Sequence, residues 1–202
     1  MSTTPATTPA TTPATTPATS SGSIVRNGVA LDRLFGTIGV VREDPDLAQF
    51  RFTAVSTWIE GTATRSTFRD WYGIGATREH VEPWCAQSDH PTLGHGHGPT
   101  PHEYVLHALA ACLTLGIATT AAARKIELTK IESTVEGDID VRGILGVAPE
   151  VRNGFSQIRA TFEVEGDADQ DTLDALIEAS RQRSATYEML VNPTPVHVAR
   201  AT

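Results

Sequence analysis

The segment PTPHEYVLHALAACLTLGIATTAAARKI (residues 99–126) constrains this chain more than any other. From Tyr104 to Ala123 almost every residue is apolar or small, and none is charged. Pro101 suits the first turn of a helix, and Thr100 before it suits the N-cap. A helix that is apolar round its whole circumference has no side to offer to water. It belongs in a core, with a sheet on one side and another helix on the other. At this length it approaches a membrane span of about 20 residues. His107, the interspersed Thr and Gly positions and the charged Arg124–Lys125 end favour a buried helix of a soluble domain. Its many Ala and Gly residues let another backbone come close.

The flanking segments set the fold class. Leu31, Leu34, Phe35 and Ile38 keep a 3.6-residue period, so residues 27–50 read as helical, with Pro45 ending or interrupting the helix. The stripe is narrow, and this helix is expected on the outside of the domain. FRFTAVSTWIE (50–60) and RSTFRDWYG (65–73) are rich in aromatic and β-branched residues and predict a hairpin. Residues 74–98 read as irregular, with one short strand at 80–85. Downstream, residues 131–141 and 157–165 alternate apolar and polar side chains with period two. That predicts antiparallel strands with one wet face. Asn153-Gly154 marks the return turn between them. Residues 169–183 form an amphipathic helix with Leu173, Leu176 and Ile177 as its stripe, and Pro195–Ala199 is expected as a closing strand. The order is that of an α+β protein.

Composition narrows the function. With 16 Lys+Arg against 24 Asp+Glu the net charge is -8, and no basic block is present, which argues against nucleic acid as a partner. Two cysteines in 202 residues are too few for a disulfide scaffold. Residues 3–18 are TTPA repeated four times, and the first 25 residues carry no charge. Regular proline and the absence of large apolar side chains predict a disordered spacer with polyproline character there. It lacks the basic and apolar regions of a signal peptide, so the expected compartment is the cytoplasm, with reduced cysteines and no membrane association. The expected organisation is a tail at 1–25, a helical extension at 26–49 and one domain at 50–202.

Three stretches carry a family resemblance. They are PHEYVLHALAACLT (101–114), VEGDIDVRGILG followed by VRNGF (135–155), and RSATYEMLVNPTPV (183–196). Together they resemble the OsmC/Ohr family of thiol-dependent hydroperoxide reductases, in its longer branch with an N-terminal helical extension. The resemblance implies an intertwined homodimer: two central helices wrapped by antiparallel sheets from both chains, with active sites at the interface. Half of the surface of the 101–123 helix would then face the partner. It also implies an organic hydroperoxide as substrate, no cofactor and a role in oxidative-stress defence.

Within that resemblance Cys112 matches the peroxide-attacking cysteine. Only its thiolate displaces an alkoxide from an O–O bond well, and burial alone would keep the thiol protonated. The family supplies an arginine held by a glutamate. Arg65, Arg69 and Arg78 are the candidates, with Arg69 first because it lies within a strand. The family's glutamate stands ten residues before the cysteine, where this chain has His102; Glu103 comes one later. At 100° per residue His102 lies about 80° from Cys112 round the helix and Glu103 about 180°. Glu103 is therefore expected to meet the other subunit or to serve the helix N-terminus. The family's resolving cysteine is replaced by Ser184, which cannot form a disulfide. Turnover then needs an external thiol, or Cys85 if its loop comes near. Leu109, Leu113, Trp58, Trp71 and Tyr72 are expected to line an apolar substrate pocket. His90, His95 and His97, close to Cys85 and Asp89 and flanked by His80 and His102, form a weak candidate metal cluster without recognised ligand spacing. His107 is read as a hydrogen-bonded core or interface residue. The competing functional reading is a catalytically impaired dimer whose cleft holds a hydrophobic ligand, a metal or a protein partner.

Overall fold

A computed structural model describes residues 23–201; the TTPA repeats lie outside the described residues. The chain opens with a two-stranded ribbon, β1 (Val25–Arg26) and β2 (Val29–Ala30), turned by Asn27 and Gly28, both at positive φ. Helix α1 (Leu31–Glu43) follows, then one 3₁₀ turn at Pro45–Ala48. The helical reading of 27–50 is thus corrected at its start. Asn27-Gly28 makes a turn instead, and the Asn27 side chain is engaged far along the chain, donating to Ile126 O and accepting from Leu128 N–H.

Strands β3 (Arg51–Phe52), β4 (Val55–Glu60), β5 (Ala63–Gly73) and β6 (Ala76–Ser88) build one antiparallel sheet. β3 and β4 pair with successive parts of one edge of β5, and β6 takes the other edge. The expected hairpin is present as β4–β5. The irregular reading of 74–98 is corrected: residues 76–88 form a 13-residue strand. Most of β6 is exposed, so no buried face imprinted a period of two on its sequence.

The core lies elsewhere. Helix α2 (Pro101–Ala123) begins with a capping box, in which Glu103 N–H donates to the Thr100 hydroxyl while the Glu103 carboxylate accepts from Thr100 N–H. Its C-terminal half packs on α4 (Gln170–Arg183) and on the antiparallel pair β7 (Leu128–Asp138) and β8 (Gln157–Gly166). Ile117, Ala121, Ile126, Leu173 and Leu176 form the buried centre, with Ile131, Phe162, Val164 and Ile177 packed around it. The two period-two strands and the amphipathic helix are therefore found as expected. The return turn is not: β7 and β8 are joined by a long connection through the short helix α3 (Val141–Ile144), closed by Ser156 N–H donating to Asp138 O. Arg159 on β8 pairs across to Asp138, fixing that end of the ladder.

The chain ends differently from expectation too. After α4 a short helix, α5 (Ala185–Val191), packs on α2. Residues 195–199 form no strand, and Val196 and Val198 are exposed.

Only one side of α2 is covered by its own chain. Leu109, Leu113, Ile117, Ala121 and Ala122 are buried, whereas Val105, Ala108, Ala111 and Leu115 are exposed, Leu115 by 65%. His107 also faces outward. Among the described residues α2 alone is long and apolar enough to cross a membrane by length and composition; its covered face is packed on α4, α5 and β7.

The α2–α4 contact is close because Gly116 carries no side chain. A Cβ there would stand 2.2 Å from the Ser180 hydroxyl oxygen, 3.0 Å from its Cβ and 3.3 Å from its Cα. That hydroxyl is buried and donates to Leu113 O at 2.7 Å, so it has nowhere to turn. Gly116→Val therefore has to push α2 and α4 apart, at a cost of about 1–3 kcal/mol. Thermal unfolding followed by circular dichroism should show Tm lower by roughly 2–10 °C for a chain of this size; an unchanged Tm would contradict the close packing.

Candidate functional site

Cys112 lies on α2 between the buried Leu109 and Leu113 and is itself half-buried. What faces it is the junction between α4 and α5. Ser184 ends α4 and caps α5: its N–H donates to Arg181 O, and its side-chain oxygen accepts from Tyr187 N–H at 3.1 Å. The same hydroxyl donates to Cys112 Sγ at 3.1 Å, and Ser184 is buried. The N–H groups of Ala185 and Thr186, in the first turn of α5, have no partner within that helix. With the Thr186 hydroxyl they favour the thiolate, while the hydrogen bond to the sulfur among the described residues is the one from Ser184.

The electrostatic consequence follows from the balance of these groups. Burial is the largest single influence and pushes the Cys112 thiol up. The Ser184 hydroxyl, the Thr186 N–H and hydroxyl and the Ala185 N–H act the other way and together outweigh it, so the thiol ionises below its ordinary value. The largest of these favouring influences come from neutral groups of α5 and its cap, and no guanidinium is hydrogen-bonded to the sulfur among the described residues.

The residues foreseen as the arginine system lie apart from that junction. Arg69 is exposed on β5, at a register shift between Phe68 and Asp70. Arg65 is exposed on the same strand, and Arg78 on β6 stacks over the Trp71 ring at 5.8 Å. Glu103 is engaged by its capping box, where the Thr100 N–H and then the Thr100 hydroxyl hold its carboxyl below the usual range. His102 is half-buried and meets the Phe155 ring edge-on at 5.8 Å. Cys85 is exposed on β6, opposite Thr67.

Leu109 and Leu113, the α2 neighbours of Cys112, open onto a cavity of about 560 Å³ whose wall does not include Cys112 itself. Leu109 and Leu113 line it with Ile158 and Phe162 of β8, Ile177 of α4 and Leu190 of α5. Trp58, Trp71 and Tyr72 are not on its wall. Trp58 is 69% exposed with its ring N–H donated to Gly61 O; Trp71 stacks on Phe50; Tyr72 lies under Arg51.

The histidine loop is organised by one carboxylate. Asp89, 2% exposed, accepts from the Thr62 hydroxyl and from the N–H groups of His90, His95 and His97. The Thr62 hydroxyl foremost, with those N–H groups, holds its carboxyl well below the usual range against the opposing effect of burial. His90 Nδ1 accepts from Thr92 and Leu93 N–H, which commits that nitrogen to the turn. The His95 and His97 rings stack at 5.5 Å. Among the described residues no group of three His, Cys, Asp or Glu side chains is arranged to hold a metal ion.

Sequence reasoning missed Thr186 and the part Ser184 plays. Ser184 drew attention as an absent cysteine, yet a serine directly after an amphipathic helix and before a second short helical stretch is also an N-cap signal.

Fold and site define a class: an α+β protein with an acidified thiol on a central helix, held at a helix–helix junction. The family model for OsmC-like proteins matches residues 94–199, just over half of the chain, and the chain belongs to that family. No curated protein matches it. Among solved structures it is similar to an OsmC-like protein from Mycoplasma pneumoniae, with 16% identity and a TM-score of 0.55 over 71% of this chain and 89% of that one. A Psychrobacter arcticus protein named for osmotic stress induction and detoxification response shares 14% identity, with a TM-score of 0.52 over 72% and 91%. The organic hydroperoxide resistance protein OhrB of Bacillus subtilis shares 20% identity, with a TM-score of 0.43 over 70% and 93%. At these identities the likenesses of higher score support the fold alone.

Two measurements check the local chemistry. In a protein with Cys85→Ser, iodoacetamide should label Cys112 at lower pH than a free model thiol, because the thiolate is the reacting form and its thiol ionises early. Ser184→Ala should slow that labelling at pH 7 roughly tenfold, since a hydrogen bond to a charged group is worth about 1.5 kcal/mol or more. Equal rates would remove the junction from the account. For the loop, Asp89→Asn turns an NH₂ group towards one pair of its donors. Hydrogen exchange at the His95 and His97 amides should then accelerate markedly while that of α2 stays unchanged; protection equal to the parent protein would show that the carboxylate is dispensable.

Proposed function

We propose that this chain is a hydroperoxide reductase in which Cys112 is the attacking thiol, in the service of defence against oxidative stress. The observations that carry the reading are the hydrogen bond from the buried Ser184 hydroxyl to the Cys112 sulfur at 3.1 Å and the first turn of α5 set beside it, with Ala185 and Thr186. They favour the anion, and the anion is the nucleophile that peroxide cleavage needs.

The thiolate attacks the terminal oxygen of an organic hydroperoxide. An S–O bond forms, the O–O bond breaks, and the alkoxide leaves and takes a proton to become the alcohol. Cys112 is then a sulfenic acid. One external thiol condenses with it, releasing water and leaving a mixed disulfide. A second external thiol displaces the first as a disulfide and restores Cys112. Ser184 stands against Cys112 and cannot replace either thiol, so both reducing equivalents come from outside. No cofactor enters the cycle. The apolar walls beside Cys112 favour an alkyl hydroperoxide over hydrogen peroxide.

In this reading the working unit is a cytoplasmic homodimer. The uncovered face of α2, with Val105 and Leu115, and the exposed apolar side chains of the β3–β6 sheet, with Phe52, Trp58 and Trp84, are what a second copy would cover. Arg69 would reach a thiol only across that interface.

One observation favours a second reading. Among the described residues no guanidinium is hydrogen-bonded to Cys112, and Glu103 is engaged in a helix cap. A dimer that binds a hydrophobic ligand without turning it over fits both facts. Consumption of cumene hydroperoxide with excess dithiothreitol decides. The parent protein and its Cys85→Ser variant should turn over, and Cys112→Ser should lose at least about a hundredfold in rate, the loss expected when a covalent nucleophile is removed. Equal rates for Cys112→Ser, or a parent protein whose Cys112 is not oxidised by the peroxide, would leave the binding reading in place.

A further inference from the structure

Helix α5 has seven residues, about half the length at which an isolated helix holds its shape in water. Outside contacts must therefore hold it, and with it the Ser184 hydroxyl that meets Cys112. One side of it packs on α2. A second hold comes from Arg181, in the last turn of α4, at two points. Arg181 O accepts from Ser184 N–H at 3.4 Å, and Arg181 Nη1 donates to the Tyr187 hydroxyl at 3.0 Å. The guanidinium carbon also stands 5.1 Å from the Tyr187 ring centroid. The guanidinium is itself aimed. Its Nε and Nη2 donate to the two Glu178 carboxylate oxygens at 2.7 and 2.6 Å, and Gln182 Nε2 donates to the same carboxylate at 2.8 Å. Arg181 and Glu178 are both about half exposed, so as an ion pair they add little stability. What they add is direction: a planar fork whose Nε–Nη2 edge is taken by a carboxylate presents Nη1 at a fixed angle.

Tyr187 is gripped at both ends. Its hydroxyl is held by Arg181, and its N–H donates to the Ser184 oxygen at 3.1 Å. With that oxygen engaged as an acceptor, the Ser184 proton is directed to Cys112 Sγ, 3.1 Å away. We propose that Arg181, aimed by Glu178, is a positioning residue for Cys112: it clasps Tyr187 to the end of α4 and so keeps the Ser184 hydroxyl on the sulfur. Arg181 is not hydrogen-bonded to the sulfur among the described residues, and its influence runs through Tyr187 and Ser184. A donor fixed before the charge appears favours an anion more than one that must first be brought into place. The consequence for peroxide turnover rests on the proposed function; the effect on the thiol does not.

The pH dependence of iodoacetamide labelling of Cys112, in the full chain carrying Cys85→Ser, tests the clasp. Arg181→Gln should slow labelling at pH 7 roughly fivefold, and Tyr187→Phe, which keeps the charge, roughly threefold, the range expected for a lost hydrogen bond. At high pH, where every thiol is ionised, both should label as fast as the parent, since thiolate is lost and not access. Arg181→Lys should recover less than half of the loss, because an ammonium has no fork to hold Glu178 and Tyr187 together. Glu178→Gln separates a clasp from a bare charge. Removing a negative charge would by itself favour the thiolate and speed labelling, whereas loss of the guanidinium's aim slows it. In a Ser184→Ala background Arg181→Gln should change the rate by less than about twofold, since its path runs through that hydroxyl. Circular dichroism checks that each variant is folded. Faster labelling of Glu178→Gln, parent-like labelling of Tyr187→Phe, or full additivity of Arg181→Gln with Ser184→Ala would each overturn the assignment. A Cys112→Ser protein that keeps peroxidase activity would instead overturn the proposed function and leave the labelling results standing.

Discussion

Helix α2 is apolar all round, yet its own chain can cover only one side of it. Everything else in the structure is arranged about that imbalance. The covered side is bound tightly: Gly116 lets α4 approach to within the reach of a Ser180 hydrogen bond, and Ile117, Ala121 and Leu176 are fully enclosed. That packing is the rigid frame on which Cys112 is carried. The open side presents Val105 and Leu115 to water. The β3–β6 sheet has the complementary problem, a broad surface with Phe52, Trp58 and Trp84 exposed and little contact with the core of the same chain. Two unsatisfied apolar surfaces on one chain are a standing free-energy gain for any association that covers them.

The parts of this architecture that sequence patterns exposed are those where burial acts on one face. β7 and β8 lie on the core through Leu128, Ile131, Phe162 and Val164, and their alternation is plain in the sequence. α4 has a single inner stripe, and α2 announces itself by capping and composition. β6 was legible only in part, at 80–85, for the converse reason. With both faces mostly wet it has no pattern to show, and Pro83 sits in it without harm because it lies in a strand paired on one edge only. The alternation at Pro195–Ala199 misled in the other direction: so short a strand-like pattern does not by itself secure a pairing partner, and both valines are left exposed. The return turn failed on a similar ground, because Asn153-Gly154 sits in a long connection whose closure is made by Ser156 and Asp138 instead.

The site was legible to the level of one residue. Cys112 stands out in the sequence because a lone thiol in a run of alanines, with the motifs around it, resembles a known nucleophile. Its surroundings did not stand out, because they come from a segment 72 residues away and act through backbone N–H groups that leave no mark in composition. The search for a positive charge also passed over neutral donors such as the Ser184 hydroxyl. Several oriented dipoles at hydrogen-bond distance can favour an anion as a single cation does, provided that they are fixed before the charge appears. Here they are fixed, since Ser184 is held by the end of α4 on one side and by Tyr187 N–H on the other.

That arrangement ties three properties together through one hydroxyl. Ser184 caps α5, donates to the sulfur and is buried at the α4–α5 junction. Tyr187, Leu190 and Val191, on the helix it caps, form one wall of the cavity. A change that loosens α5 must therefore both open the cavity and remove donors from Cys112. Cavity wall and thiol environment are in this way joined in one short helix: the cap that orders Tyr187, Leu190 and Val191 along the cavity also sets the Ser184 hydroxyl against the sulfur, so neither can be altered alone.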